Sequence, residues 1–269
     1  MSRNILEEIE AKTRQRIEEE KKNLPLEALK ENCRKKNEDT EQPRLSFYDA
    51  LKKSGMSYIC EVKKASPSKG LIAPDFPYLE IAREYEAAGA SAISCLTEPF
   101  YFLGSDRYLK DITKNVQIPV LRKDFTVDEY MIYQAKALGA SAVLLICAIL
   151  DDEQLKNYRI LAEELGMDAL VEAHDEEEVS RALNSGAKII GVNNRDLRTF
   201  QVDVRNSIRL RELAPADVVF VSESGIRTCE DIRKLYENQV DAVLIGETLM
   251  RSSDKKAMLE ELNGGSLFK

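Results

Sequence analysis

The chain has 269 residues, 43% of them hydrophobic and 32% charged, with a net charge of −8 and one His. That apolar content excludes disorder over most of the length, and 269 residues suit one large domain better than two ordinary ones. An acidic chain with a pI near 5.1 is not expected to bind nucleic acid broadly, so an anionic ligand has to be met by locally placed cations.

Ile5, Leu6, Ile9 and Ile17 fall mostly on one face of a highly charged helix, which Pro25 interrupts. A second short helix is expected from about Leu26, then a polar stretch from Asn37 to Gln42 ending in Pro43. About residues 1–50 thus read as a helical extension, an amphipathic surface helix packed on the body of a single domain spanning 1–269. A partner-binding helix is the lesser reading. With Glu, Lys and Arg so dense there, no signal peptide is expected, and the longest apolar run, Ala142 to Leu150, is nine residues, about half a membrane span. The five cysteines (33, 60, 95, 147 and 229) are scattered, without a C-x-x-C pair. They suggest neither a disulfide framework nor a metal site, and a reducing cytoplasm is the expected setting.

From Tyr58 onward, short apolar runs alternate with amphipathic segments: Tyr58–Val62, Ser91–Leu96, Ile118–Leu121, Ala142–Ile146, Ala169–Glu172, Ile189–Val192, Val218–Val221 and Ala242–Ile245. Runs of Val, Ile and Leu without polar alternation are expected of parallel strands buried on both faces. Their spacing leaves room for a helix between each pair. Gly89, Gly139 and Gly186 close similar helix-to-strand turns and are expected in the left-handed C-terminal cap conformation. Eight strands with intervening helices can form an open doubly wound sheet or a closed barrel; their regularity and the phosphate signals near strands seven and eight favour an α/β fold, a (βα)8 TIM barrel.

In such a barrel, ligands sit at the C-terminal strand ends. Strand one ends in Glu61-Val-Lys63, two residues that share a side of the strand and point into the barrel mouth. Lys123 ends strand three, Glu172 strand five, and Asn193 to Arg195 strand six. Desolvating so many polar groups is costly unless they pair or bind something. Strands seven and eight run into Ser224-Gly225 and Gly246-Glu247, where glycines admit a close ligand and each turn is expected to open a helix toward a phosphate. His174 reads as a partly exposed loop residue, and Cys60, Cys95 and Cys147 as core fillers.

The string from Glu61 through Lys63, Ser66 and Ser68 to Gly70 resembles the signature of the indole-3-glycerol-phosphate synthase family, a lyase of tryptophan biosynthesis. Leu96 to Phe102, Lys123-Asp-Phe125, Val143 to Ile146, Val171-Glu172, Gly191 to Leu197, Ser222 to Gly225 and Leu244 to Glu247 agree with it, as do Ile5 to Ile9 and Pro25 to Glu27. The resemblance implies conversion of 1-(2-carboxyphenylamino)-1-deoxyribulose 5-phosphate to indole-3-glycerol phosphate, with loss of CO2 and water. It implies Lys123 as general acid, with Lys63 depressing its pKa and meeting the substrate carboxylate, and Glu61 orienting both lysines. Glu172 becomes the general base of the dehydration. Ser66 and Asn193 bond the carboxylate and a sugar hydroxyl, with Arg195 in support, and Phe102 and Leu144 form a slot for the aromatic ring. Ser224, Gly225, Gly246 and Glu247 take the phosphate. Some members carry Ser in place of Glu247, a change that only a backbone contact survives. The loop from Lys64 to Gly70 is expected to close over the substrate. No metal, redox cofactor, nucleic acid or membrane is called for, and a monomer or weak homodimer is expected. The alternatives are another phosphate-binding barrel enzyme, such as phosphoribosylanthranilate isomerase with its Cys/Asp acid–base pair, and a non-catalytic protein on the same fold.

Overall fold

All eight apolar runs form strands, each with both faces buried because helices cover the outside and side chains fill the inside. The computed structural model describes residues 5–38, 45–196 and 200–264. The strands are β1 (Ser57–Val62), β2 (Ala92–Leu96), β3 (Val120–Lys123), β4 (Ala142–Ile146), β5 (Asp168–Ala173), β6 (Ile189–Asn193), β7 (Val219–Glu223) and β8 (Ala242–Ile245). All pair in parallel with their chain neighbours, and β1 closes the barrel by pairing with both β2 and β8, Ile59 opposite Ala92 and Ser57 opposite Ala242. The fold is a TIM barrel, as the sequence predicts.

Among the described residues, three helices precede the barrel: α1 (Ile5–Asn23), α2 (Leu26–Glu38) and α3 (Phe47–Leu51). One helix follows each of the first seven strands: α4 (Tyr78–Ala87), α5 (Asp106–Thr113), α6 (Glu129–Leu138), α7 (Asp152–Glu164), α8 (Glu176–Asn184), α9 (Arg205–Arg211) and α10 (Cys229–Glu237). Among the described residues, α11 (Glu247–Arg251) and α12 (Lys255–Leu262) follow β8. Asp128, Asp151, Asp175 and Thr228 start their helices by accepting a first-turn N–H, which satisfies donors that have no partner within the helix. Gly89, Gly139 and Gly186 adopt φ of +91°, +90° and +84°, the left-handed turn expected of them. Cys60 and Cys95 are core residues within strands, whereas Cys147 lies just past β4, in a buried 3-10 turn (Cys147–Ile149).

Helix α1 buries Leu6, Ile9, Thr13 and Ile17 against the barrel, and α2 packs on α6. Short α3 sits at the opposite end, where Asp168 Oδ2 accepts the Phe47 and Tyr48 N–H groups at 2.8 and 3.1 Å. A carboxylate at a helix N-terminus complements the exposed donors there. Most of the polar stretch Asn37 to Gln42 lies outside the described residues.

The most buried polar tie between α1 and the mouth is an ion pair. Arg16 reaches Asp124 Oδ2 at 2.9 Å, and Asp124, one residue past β3, is fully buried. The same carboxylate accepts the Thr97 hydroxyl at 2.7 Å and the Phe125 N–H at 2.9 Å. Arg16→Ala removes one partner of a buried pair but leaves Asp124 its other donors. A loss of about 1–3 kcal/mol is expected, below the usual cost of orphaning a buried charge. It should register as a lower urea midpoint; an unchanged midpoint would mean that α1 is held by its apolar face and its other polar ties, among them Lys21 to Asp128 at 2.7 Å and Tyr101 to Glu8 at 2.6 Å.

Candidate active site

Glu61, Lys123, Glu172 and Glu223 come from β1, β3, β5 and β7, the alternate strands that fill one layer of a barrel interior. Here the layer is ionisable rather than branched and apolar, and it lies at the C-terminal mouth. Lys123 Nζ donates to Glu172 Oε2 at 3.0 Å and to Glu223 Oε2 at 2.6 Å. Lys63 pairs with Glu61, as their shared side of β1 predicts. Asn193, from β6, donates to the other Glu172 oxygen at 3.3 Å.

Burial opposes the charge on Lys123, but Glu172, Glu223 and Glu61 outweigh it and hold the ammonium well above the usual lysine range. The expectation that Lys63 depresses Lys123 is therefore corrected: three carboxylates, rather than one neighbouring cation, set its proton affinity. Burial also acts against ionised Glu172, yet Lys123 and then His174 keep it below the usual carboxylate range. Glu223 goes the other way. Burial, with Glu172 and Glu61 acting against Lys123, pushes it up to about 7, and its Oε1 is buried without a hydrogen-bond partner.

These groups open into a cavity of about 400 Å3, a volume suited to a small organic ligand. All thirteen residues singled out from the sequence line it: Glu61, Lys63, Ser66, Phe102, Lys123, Leu144, Glu172, Asn193, Arg195, Ser224, Gly225, Gly246 and Glu247. Sequence reasoning missed Glu223 and Phe125 as site residues, and did not foresee that Ile5, Leu6 and Ile9 of α1 line the mouth. Glu223 was visible as a charge at the end of a buried strand, the signal that had singled out Glu172.

The apolar wall is built by loops. Buried Glu98 accepts the N–H groups of Phe100, Tyr101 and Phe102 at 2.9, 2.7 and 2.9 Å, folding the loop after β2 so that Phe102 faces the cavity. Phe102 stands 6.1 Å from Phe125, across from Leu144 of β4. The loop after β1 forms a short hairpin, Ala65–Ser66 with Gly70–Leu71, and Ala65 N–H donates to the Phe102 carbonyl at 3.2 Å. Arg195 is held at its own backbone by Asn193 Oδ1 and through its guanidinium by the Phe200 carbonyl, at 3.1 and 3.2 Å.

The opposite wall carries the glycines. Gly225 has φ of +87°, and a Cβ there would collide with Val202. A Cβ at Gly246 would lie 2.5 Å from Glu61 Oε1 and 2.8 Å from Lys63 Nζ, so a side chain there would displace that ion pair. Gly246 caps α11 as expected, but the turn after β7 does not open a helix directly. There α10 begins at Cys229 under the Thr228 cap, so the Gly225 N–H belongs to a loop. Glu247 turns its carboxylate to Lys69 at 3.5 Å and Arg251 at 3.1 Å. No cysteine lines the cavity among the described residues, and burial pushes the Cys147 thiol up to about 12.

A family model for indole-3-glycerol phosphate synthase matches residues 6–262. The chain is 56% identical to the indole-3-glycerol phosphate synthase of Ruminiclostridium cellulolyticum, over 97% of this chain and 100% of that one. It is 55% identical to the same-named protein of Endomicrobium trichonymphae, over 96% and 99%, and 48% identical to that of Acetivibrio thermocellus, over 96% and 98%. Among solved structures, 3-hexulose-6-phosphate synthase is similar in fold, with a TM-score of 0.63 at 17% identity over 78% of this chain and 99% of that one. A thiamine phosphate pyrophosphorylase from Pyrococcus furiosus gives 0.60 at 16% identity, over 81% and 96%.

The state of Glu223 leads to a pH prediction. Below about 7 it is neutral, so Lys123 has one countercharge fewer and an anionic ligand meets a less negative mouth. Above that, ionised Glu223 holds the lysine proton more tightly. Accordingly kcat/KM should fall as pH rises through about 7, and Glu223→Gln should abolish that fall. A descending limb that persists unchanged in the variant would assign it to another group.

Proposed function

The chain belongs to the indole-3-glycerol phosphate synthase family, and from that premise we propose how its residues share the reaction. Its activity is the ring closure, decarboxylation and dehydration of 1-(2-carboxyphenylamino)-1-deoxyribulose 5-phosphate, a carboxy-lyase step of tryptophan biosynthesis. The observation that carries our assignment of roles is Lys123 between Glu172 and Glu223 on the floor of a cavity with one aromatic wall and one glycine wall.

The substrate has three parts to place. Its aromatic ring suits the slot of Phe102, Phe125 and Leu144. Its phosphate suits the other wall, where Ser224, Gly225 and Gly246 let backbone approach and Glu247 is already engaged with Lys69 and Arg251. Its carboxylate suits Lys63 and Ser66. Spanning the cavity in this way brings the sugar carbonyl over Lys123. Ring closure needs that oxygen protonated as the aromatic carbon attacks, and the Lys123 ammonium is the donor. Losing CO2 returns the bonding electrons to the ring. Lys123 regains a proton from solvent; in the dehydration, carbon gives a proton to Glu172 while Lys123 protonates the hydroxyl, which leaves as water, and Asn193 and Arg195 hold that side of the sugar. Glu172 can return its proton to Lys123 across 3.0 Å. Glu61 acts indirectly, by orienting Lys63.

We read residues 1–269 as one barrel domain whose first 50 or so residues form a helical extension, and the chain as a monomer or weak homodimer. A sheet closed on itself has no unpaired edge to offer a partner, which supports that reading. Five free thiols fit a reducing cytoplasm.

Turnover can be followed by indole fluorescence, because the chain contains no Trp and contributes little background. Lys123→Ala and Glu172→Gln should each lower kcat by about 10^2-fold or more while leaving the fold intact. Near-normal turnover in either would remove that residue from its role. Lys63→Met should raise KM by roughly one to two decades through loss of a charge-assisted hydrogen bond. An unchanged KM with a lower kcat would instead make Lys63 a second proton donor.

A further inference from the structure

Behind Glu172 stands the single histidine of the chain, which the scheme above does not use. His174 follows β5 directly, and its Nε2 lies 3.6 Å from Glu172 Oε1. That exceeds a hydrogen bond but lies within ion-pair reach. The nitrogen is buried with no hydrogen-bond partner, so its nearest acidic neighbour is the carboxylate read here as the base. On the far side of the ring, Nδ1 lies 3.1 Å from Glu178 Oε2, and the same oxygen accepts the His174 backbone N–H at 2.8 Å. Ring and backbone are thus clamped by one carboxylate on α8, which leaves Nε2 aimed at Glu172.

The charged surroundings favour an imidazolium. Glu172, Glu223 and Lys123 lie toward the barrel interior, Glu178 and Asp175 come from the start of α8, and Arg205 and Arg209 of α9 lie across a second, polar hollow of about 1080 Å3. Burial opposes the charge, but the Glu178 hydrogen bond and the charges of Glu172, Glu178 and Glu223 hold His174 above its ordinary value. His174 lines that hollow, so the ring can be reached from a side that does not pass through the main cavity.

We propose that His174 is a positioning residue for Glu172: a cation, anchored by Glu178, that keeps the base ionised and aimed during the dehydration. The proposal rests on the reading of Glu172 as the base. Lys123 gives up its proton in the same reaction, so the countercharge it offers Glu172 is lost partway through. His174 supplies one that the chemistry does not consume.

The test compares pH profiles of kcat/KM for the full-length wild type, His174→Gln, Glu178→Gln and Glu172→Gln. Without the imidazolium, the Glu172 carboxylate protonates more easily, so the acidic limb of His174→Gln should move to higher pH by about half to one unit. Activity on that limb should drop about three- to tenfold, while the plateau stays within about threefold. Glu178→Gln leaves the ring in place but weakens its charge, and should give a smaller shift in the same direction, which keeps the test open if His174→Gln fails to fold. In His174→Ala, added imidazole at mildly acidic pH should restore part of the lost rate by entering from the hollow. An unmoved acidic limb in folded His174→Gln, or an equal loss at every pH without imidazole rescue, would overturn the proposal. If Glu172→Gln itself keeps normal turnover, the reading of the base fails instead.

Discussion

A lysine cannot stay charged in a barrel interior unless anions surround it, and that constraint organises this molecule. Lys123 is met by Glu172 and Glu223, with Glu61 adding to the field. Three carboxylates in one layer would in turn repel one another. Lys63 offsets Glu61, Lys123 serves two, and Glu223 rises to about 7 so that it can be neutral when the others are not. One layer of alternate strands thus holds a set of charges that a proton can rebalance. Such a layer is costly to the fold and useful to the chemistry, because acid and base sit within one hydrogen bond of each other.

The rest of the architecture protects that layer. Branched residues pack the barrel below it, and buried Asp124 links the end of β3 to Arg16 of α1, tying the helix that borders the mouth to the strand that carries Lys123. Glu98 shapes the aromatic wall through three backbone N–H groups, and Gly246 leaves just enough room for the Glu61–Lys63 pair. At Asp124 and Glu98 a buried carboxylate fixes the loop backbone.

Much of this was legible in the sequence, for physical reasons. A parallel strand buried on both faces must be an unbroken apolar run, so eight strands could be read with small errors at their ends. The i, i+2 parity of β1 put Glu61 and Lys63 on one side, and charges at strand ends marked Lys123 and Glu172. Other features depend on distance in space, which one-dimensional patterns do not carry. The apolar face of α1 was visible, but not that Ile5, Leu6 and Ile9 would edge the cavity. Glu223 was overshadowed by the glycine two residues on. The proton affinity of Lys123 depends on three anions from other strands, which the sequence does not place beside it. The helix after β7 begins at Cys229, beyond the glycine turn where the sequence pattern predicts it.

The charge balance around Lys123 turns on whether Glu223 carries a proton near neutrality. Infrared titration of the free enzyme tests it most directly, by following the carboxylic acid C=O band of a buried carboxyl. A band present at pH 6 should fade with a midpoint of about 7 and be missing in Glu223→Gln. A spectrum without such a band at pH 6, or one that keeps it in the variant, would contradict the account.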